Sequence, residues 1–201
     1  MHTFIKFEPV TEVGFAAKRG YIVDTIGVGE HETRDDVHYL WGAVMTTLAE
    51  QAVERFREGF NCAQAVFSTY AHLAGIDAND ALRIATGFGA GMGRMQEVCG
   101  AATGAFMLIG CQHGMVQPAD AAAKERAYAL VQDFASRFQQ LNGSLLCRDL
   151  LKCDLRTPEG KKEVGEKGLT DTVCVPCVRH AAHIVEDLLF SASVGVANPQ
   201  V

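Results

Sequence analysis

The chain has 201 residues, 48% hydrophobic and 21% charged, which is enough to close a core without cross-links. A net charge of -6 excludes the clustered Lys and Arg of a nucleic-acid binder. No secretory signal is visible and no stretch reaches the ~20 apolar residues of a membrane span, so a cytoplasmic setting with reduced thiols is expected.

Residues 1–32 read as an N-terminal arm. Phe4, Ile5 and Phe7 before Pro9, and then Tyr21 to Val28, suit the two strands of a short hairpin. From Thr33 the pattern turns helical, with Val37, Leu40, Trp41, Val44, Leu48, Ala52 and Phe56 at helical spacing. Thr33 is the predicted cap, and Gly59 ends this helix. Asn61 opens the next helix, with Gln64 completing a capping box. Gly75 stops it, and Asp77 starts a short helix.

The glycine run Gly87 to Gly93 follows. Without a preceding strand it reads as a tight turn rather than a dinucleotide loop. A small-residue helix is predicted from about Met95 to His113, where Gly100, Ala101, Ala102, Gly104 and Ala105 let another backbone approach. A long amphipathic helix is expected from Pro118 to about Leu141, ended by Asn142-Gly143. Ser144 caps a short helix, Thr157-Pro158-Glu159 starts another, and the last runs from Val175 or Pro176 to Phe190. These elements predict an all-α, multi-helix bundle over residues 33–192, with a tail at 193–201. The small-residue helix and the arm suit a homodimer.

Seven cysteines in a reduced compartment point to metal or redox chemistry rather than a disulfide frame. Cys62 and Cys147 fall in predicted first turns, and Cys174 and Cys177 flank Pro176 at the start of the last helix. Free N–H groups and the helix dipole favour a thiolate at such places. Cys99 is expected inside a helix, with room around it for a bulky partner. Cys153 lies in a loop, and Cys111 reads as a small buried hydrophobe. Glu97 reads as a solvated or capping group, or as a proton donor should Cys99 do chemistry. His180 and His183 read as helix-surface residues.

Three pieces carry a resemblance: Asn61-Cys62-Ala63-Gln64-Ala65-Val66, then Gly93 to Ala105 around Val98-Cys99-Gly100-Ala101, then Cys147-Arg148-Asp149-Leu150-Leu151 with Cys153-Asp154-Leu155. With Thr157-Pro158-Glu159-Gly160 and Cys174 leading into Ala181-Ala182-His183-Ile184, they resemble the cysteine-motif redox family C_GCAxxG_C_C over roughly residues 48 to 190. The resemblance implies a helical domain with a cysteine-based redox role. A similar domain in split-Soret cytochromes hints at an iron–sulfur centre. Carried over by position, the family's cysteines fall on Cys62, Cys99, Cys147 and Cys174, with Cys153 as a frequent extra. Cys177 and the first 45 residues or so lie outside the resemblance.

Three readings follow. The first is electron transfer through an iron–sulfur or other metal centre on Cys62, Cys99, Cys147, and Cys174 or Cys153, serving an electron donor or acceptor that the sequence does not name. The second is a metal-free thiol oxidoreductase or sulfur-handling protein, with Cys174 and Cys177 (or Cys147 and Cys153) as the catalytic pair. The third is a structural zinc site.

Overall fold

A computed structural model describes residues 46–190. The predicted hairpin, the cap at Thr33 and the tail lie outside the described residues. Within them the fold is all-α, as expected. The only pairing of extended backbone among them is one isolated bridge, between Val98 and Leu146.

Helix α1 spans Leu48–Arg57. Thr47 is extended and its hydroxyl accepts the Glu50 N–H, so this helix starts fresh at Thr47 rather than continuing from Thr33. Helix α2, Cys62–Tyr70, opens on the predicted capping box of Asn61 and Gln64. Helix α3, Ala78–Ala85, is capped by Asp77.

Helix α4, Gly100–His113, starts later than the sequence pattern suggests, with Cys99 as its N-cap. Gln96 is left-handed at φ 61° and Val98 is bridged to Leu146, so the stretch before Cys99 cannot join a right-handed helix. Helix α5, Ala121–Asn142, starts at Asp120 rather than Pro118, because the Asp120 carboxylate accepts the Ala123 N–H. It ends at left-handed Gly143.

Two short helices follow, α6 at Cys147–Leu151 and α7 at Pro158–Glu166. Ser144 accepts the Leu146 N–H, but the residue at the α6 cap position is Leu146. Helix α8, Val175–Val185, is flanked by wide π turns at Thr170–Cys174 and Glu186–Phe190. Pro176 explains the first of these. It has no N–H to offer the carbonyl four residues back, and the Val175 N–H reaches back five residues to the Thr170 carbonyl.

Helix α4 is the centre of the bundle. Its first six residues are all buried, and α2 packs most extensively against it. Gly100 and Gly104 make this approach possible. A Cβ on Gly104 would sit 2.8 Å from the Ala63 carbonyl oxygen, and one on Gly100 would sit 3.2 Å from the Cys62 Cβ. Phe67, Tyr70, Phe134 and Phe138 fill the space around this seam. Each contributes about 1.5–3 kcal/mol of apolar burial. Helix α8 closes the bundle against α1, α4 and α5. It is pinned by Arg179 donating to Glu50 at 2.7 Å.

Candidate redox site

The fold brings cysteines from four distant segments to one cavity of about 180 Å³, lined by Cys62, Cys99, Cys147, Cys174 and Cys177. Its remaining walls are mostly apolar, with Phe56, Leu150, Leu151, Leu155, Val164 and Val173. Cys153 does not line it, though it is close enough to act electrostatically on Cys147 and Cys174.

Each sulfur is placed by its own local device. Asn61 fixes Cys62. Its Oδ1 accepts the N–H groups of Ala63 and Gln64 at 3.0 Å, and its Nδ2 donates to the Thr86 carbonyl at 3.0 Å. Gln64 Nε2 adds bonds to the Leu82 carbonyl at 3.0 Å and to the Thr86 hydroxyl at 2.9 Å. The start of α2 is therefore tied to the end of α3, where the glycine run begins.

That run forms one turn of left-handed helix. Ala90, Gly91, Met92, Gly93 and Arg94 have φ of 53°, 67°, 64°, 66° and 69°. The Gly93 N–H closes the turn on the Gly89 carbonyl at 2.9 Å. Each non-glycine residue there costs ~1–2 kcal/mol, and such strain is characteristic of functional sites. The turn supplies the Ala90 N–H, which favours charge on the Cys62 sulfur against its burial. It also allows Cys147 to lie against the backbone of Gly91.

Cys99 and Cys147 are joined through the backbone. The Cys99 N–H donates to the Leu145 carbonyl at 2.9 Å, and the Cys147 N–H donates to the Glu97 carbonyl at 2.7 Å. Gln96 is buried at φ 61°. Its amide nitrogen donates to the Cys153 carbonyl at 2.6 Å, and its amide oxygen accepts the Leu155 N–H at 2.9 Å. It thereby fixes the loop that carries Cys153. Glu97 is ion-paired with Arg148 at 2.8 Å, as suits a solvated group.

The thiol electrostatics correct the sequence reading. Helix-start placement predicts depressed pKa values at Cys62, Cys147, Cys174 and Cys177, but all four are raised. Burial is the leading cause at the first three, and it pushes Cys62 and Cys147 up to about 12. A helix N-terminus contributes ~0.3–1 kcal/mol, less than the ~1.4 kcal/mol of a single pKa unit, so desolvation wins. Cys174 and Cys177 also lack a free first turn, because the π turn precedes them.

Cys99 is the exception, and its pKa is lowered. The first cause is the neighbouring Cys177 thiol, which favours charge on the Cys99 sulfur. The N–H groups of Ala101 and Ala102 at the start of α4 add to this against burial. The same contact is the first cause that raises Cys177. Asn142 Oδ1 lies 3.5 Å from the Cys177 sulfur. Cys99 is thus the cavity sulfur whose charged form the fold favours, while burial disfavours charge on the others. Among the described residues, no three His, Cys, Asp or Glu side chains already stand as an assembled metal shell.

Cys111 is a further correction. It is exposed on α4 rather than buried, and it takes no part in the cavity. His180 carries more than its sequence suggests: its Nδ1 bonds Asn142 Oδ1 at 2.9 Å. Burial, helped by the charges of His183 and Arg179, lowers its pKa. The unfolded chain therefore binds a proton at His180 more readily than the folded one. Stability from this residue is present above pH 6.5 and is lost as pH falls below it. Urea midpoints should drop on the acid side of that value in the wild type, and less so in His180→Phe.

No helix among the described residues is long and apolar enough to cross a membrane. Comparison with curated proteins and with solved structures finds no match. A family model described as "Putative redox-active protein (C_GCAxxG_C_C)" matches residues 60–188, a span that contains all five cysteines of the cavity, and the chain belongs to this redox-active family.

Proposed function

We propose that the chain is an electron-transfer protein whose centre is an iron–sulfur cluster held by Cys62, Cys99, Cys147 and Cys174. The observation that supports this is the convergence of five cysteines on one cavity with mostly apolar walls. A dithiol oxidoreductase uses two thiols and leaves three of the five without a role. A cluster uses thiolates as its ligands, and supplies one-electron transfer tuned by burial and by hydrogen bonds to the sulfurs. The space of about 180 Å³ far exceeds the ~10–15 Å³ that one water needs, so it suits more than a single ion.

The chain's own groups fit this role. The N–H groups of Ala90, Ala101 and Ala102 and the Cys177 thiol favour charge on the cavity sulfurs beside them. Burial keeps Cys62 and Cys147 protonated at neutral pH without a metal, so loading displaces those protons.

The test is iron and acid-labile sulfide analysis of protein purified without oxygen. Brown protein containing both, bleached on reduction, is the expected outcome. Bound zinc without sulfide would favour the structural reading. Metal-free protein after anaerobic reconstitution, with a specific internal disulfide on mild oxidation, would favour the thiol reading.

A further inference from the structure

A second cavity, of about 530 Å³, opens on the other side of Cys177. It shares Leu150, Val173 and Cys177 with the sulfur cavity, so these side chains form the partition between the two. Its volume falls within the ~300–1,000 Å³ typical of small-molecule sites.

On this side of the partition stands a fixed polar group. Asn142 is oriented by its Nδ2, which donates to the Phe138 carbonyl at 2.8 Å. Its Oδ1 accepts from His180 Nδ1 at 2.9 Å. Oδ1 is an acceptor, so the His180 proton is on Nδ1. In the neutral ring Nε2 is then a bare acceptor, and it has no partner among the described residues. Two exposed residues of opposite charge also line the cleft. Asp149 is bonded through one oxygen to the Ser144 hydroxyl at 3.0 Å. Lys152 ends α6 at φ 54° and has no ion-pair partner among the described residues.

We propose that this cleft binds a small zwitterionic thiol, that is, a free amino acid whose side chain ends in S–H. Its carboxylate pairs with Lys152, its ammonium pairs with Asp149, and its S–H donates to His180 Nε2. The proposal deepens the redox reading and rests on it for its purpose, since only the partition of Leu150, Val173 and Cys177 then separates the ligand's sulfur from the proposed centre. Binding itself needs no metal.

The experiment uses the full chain, purified anaerobically, with iron measured on each sample. Binding of L-cysteine is compared with that of L-alanine, S-methylcysteine and 2-mercaptoethanol by calorimetry under reducing conditions. L-Cysteine should bind about tenfold or more tightly than each of the others. His180→Phe and Lys152→Ala should each weaken it about fivefold or more, with the helical circular-dichroism spectrum and iron content unchanged. Equal binding of alanine and cysteine overturns the proposal. So does no binding at about 10 mM, or binding that ignores both substitutions, which would mean coordination to iron. The two readings fail separately. Selective binding with no iron refutes the centre and keeps the cleft, and iron without selective binding refutes the cleft alone.

Discussion

Gly91→Ala should destabilise the fold by about 2–5 kcal/mol and deform the sulfur cavity. Gly91 stands in the middle of the left-handed turn, with φ 67° and ψ 55°. Its conformation alone is not decisive, because Ala90 and Met92 on either side are left-handed too. Space is decisive. A Cβ at this position would lie 2.7 Å from the Cys147 Cβ, 2.7 Å from the Gln96 Cα and 2.9 Å from the Gln96 carbonyl carbon. Two of these atoms are backbone, and the third begins a cavity-lining side chain, so none can swing aside as a flexible tip would. The sum combines ~1–2 kcal/mol of left-handed strain with ~1–3 kcal/mol of overpacking. Gly87→Ala is the matched control, since nothing lies within 4 Å of its added Cβ. Denaturant midpoints decide the matter: equal stability of the two variants would show that the turn does not press on Cys147.

Cys99→Ser should abolish the redox centre while leaving the bundle folded. Cys99 is the N-cap of α4, and serine is among the preferred N-cap residues. The substitution keeps the helix start and removes the one thiol whose pKa is lowered. Loss of an outer-shell partner costs a metal site about 10–100-fold in affinity, and loss of a direct ligand should cost at least that. Iron per chain and visible absorbance should therefore fall about tenfold or more, with a melting temperature close to wild type. Cys111→Ser, on the exposed face of α4, should change neither. Retention of iron by the Cys99 variant would remove that residue from the centre.

Much of the architecture was legible in the chain. Asn61, Asp77 and Thr157 are caps whose side chains accept the N–H groups of the following turn, a local interaction that sequence spacing reveals. The small residues at Gly100 to Ala105 signalled a close helix approach, and α2 occupies that approach. The thiol energetics were not legible. Cys62 and Cys147 do lie in first turns, but their protonation is set by burial against residues far away in sequence. The neighbours of Cys99 favour helix and so point to a helix interior, but left-handed Gln96 and the bridge of Val98 to Leu146 make the helix start at Cys99. The link of Cys177 to Asn142, the Asn142–His180 pair and the clamp of Gln96 on the Cys153 loop all join residues at least 35 positions apart. No local pattern reports such pairings.

The most direct test of the sulfur-held centre is X-ray absorption at the iron edge of anaerobically reconstituted, full-length protein. A first shell made of sulfur alone, lost in Cys99→Ser, is the expected result. A shell of nitrogen and oxygen, or a sulfur shell indifferent to Cys99, would contradict it.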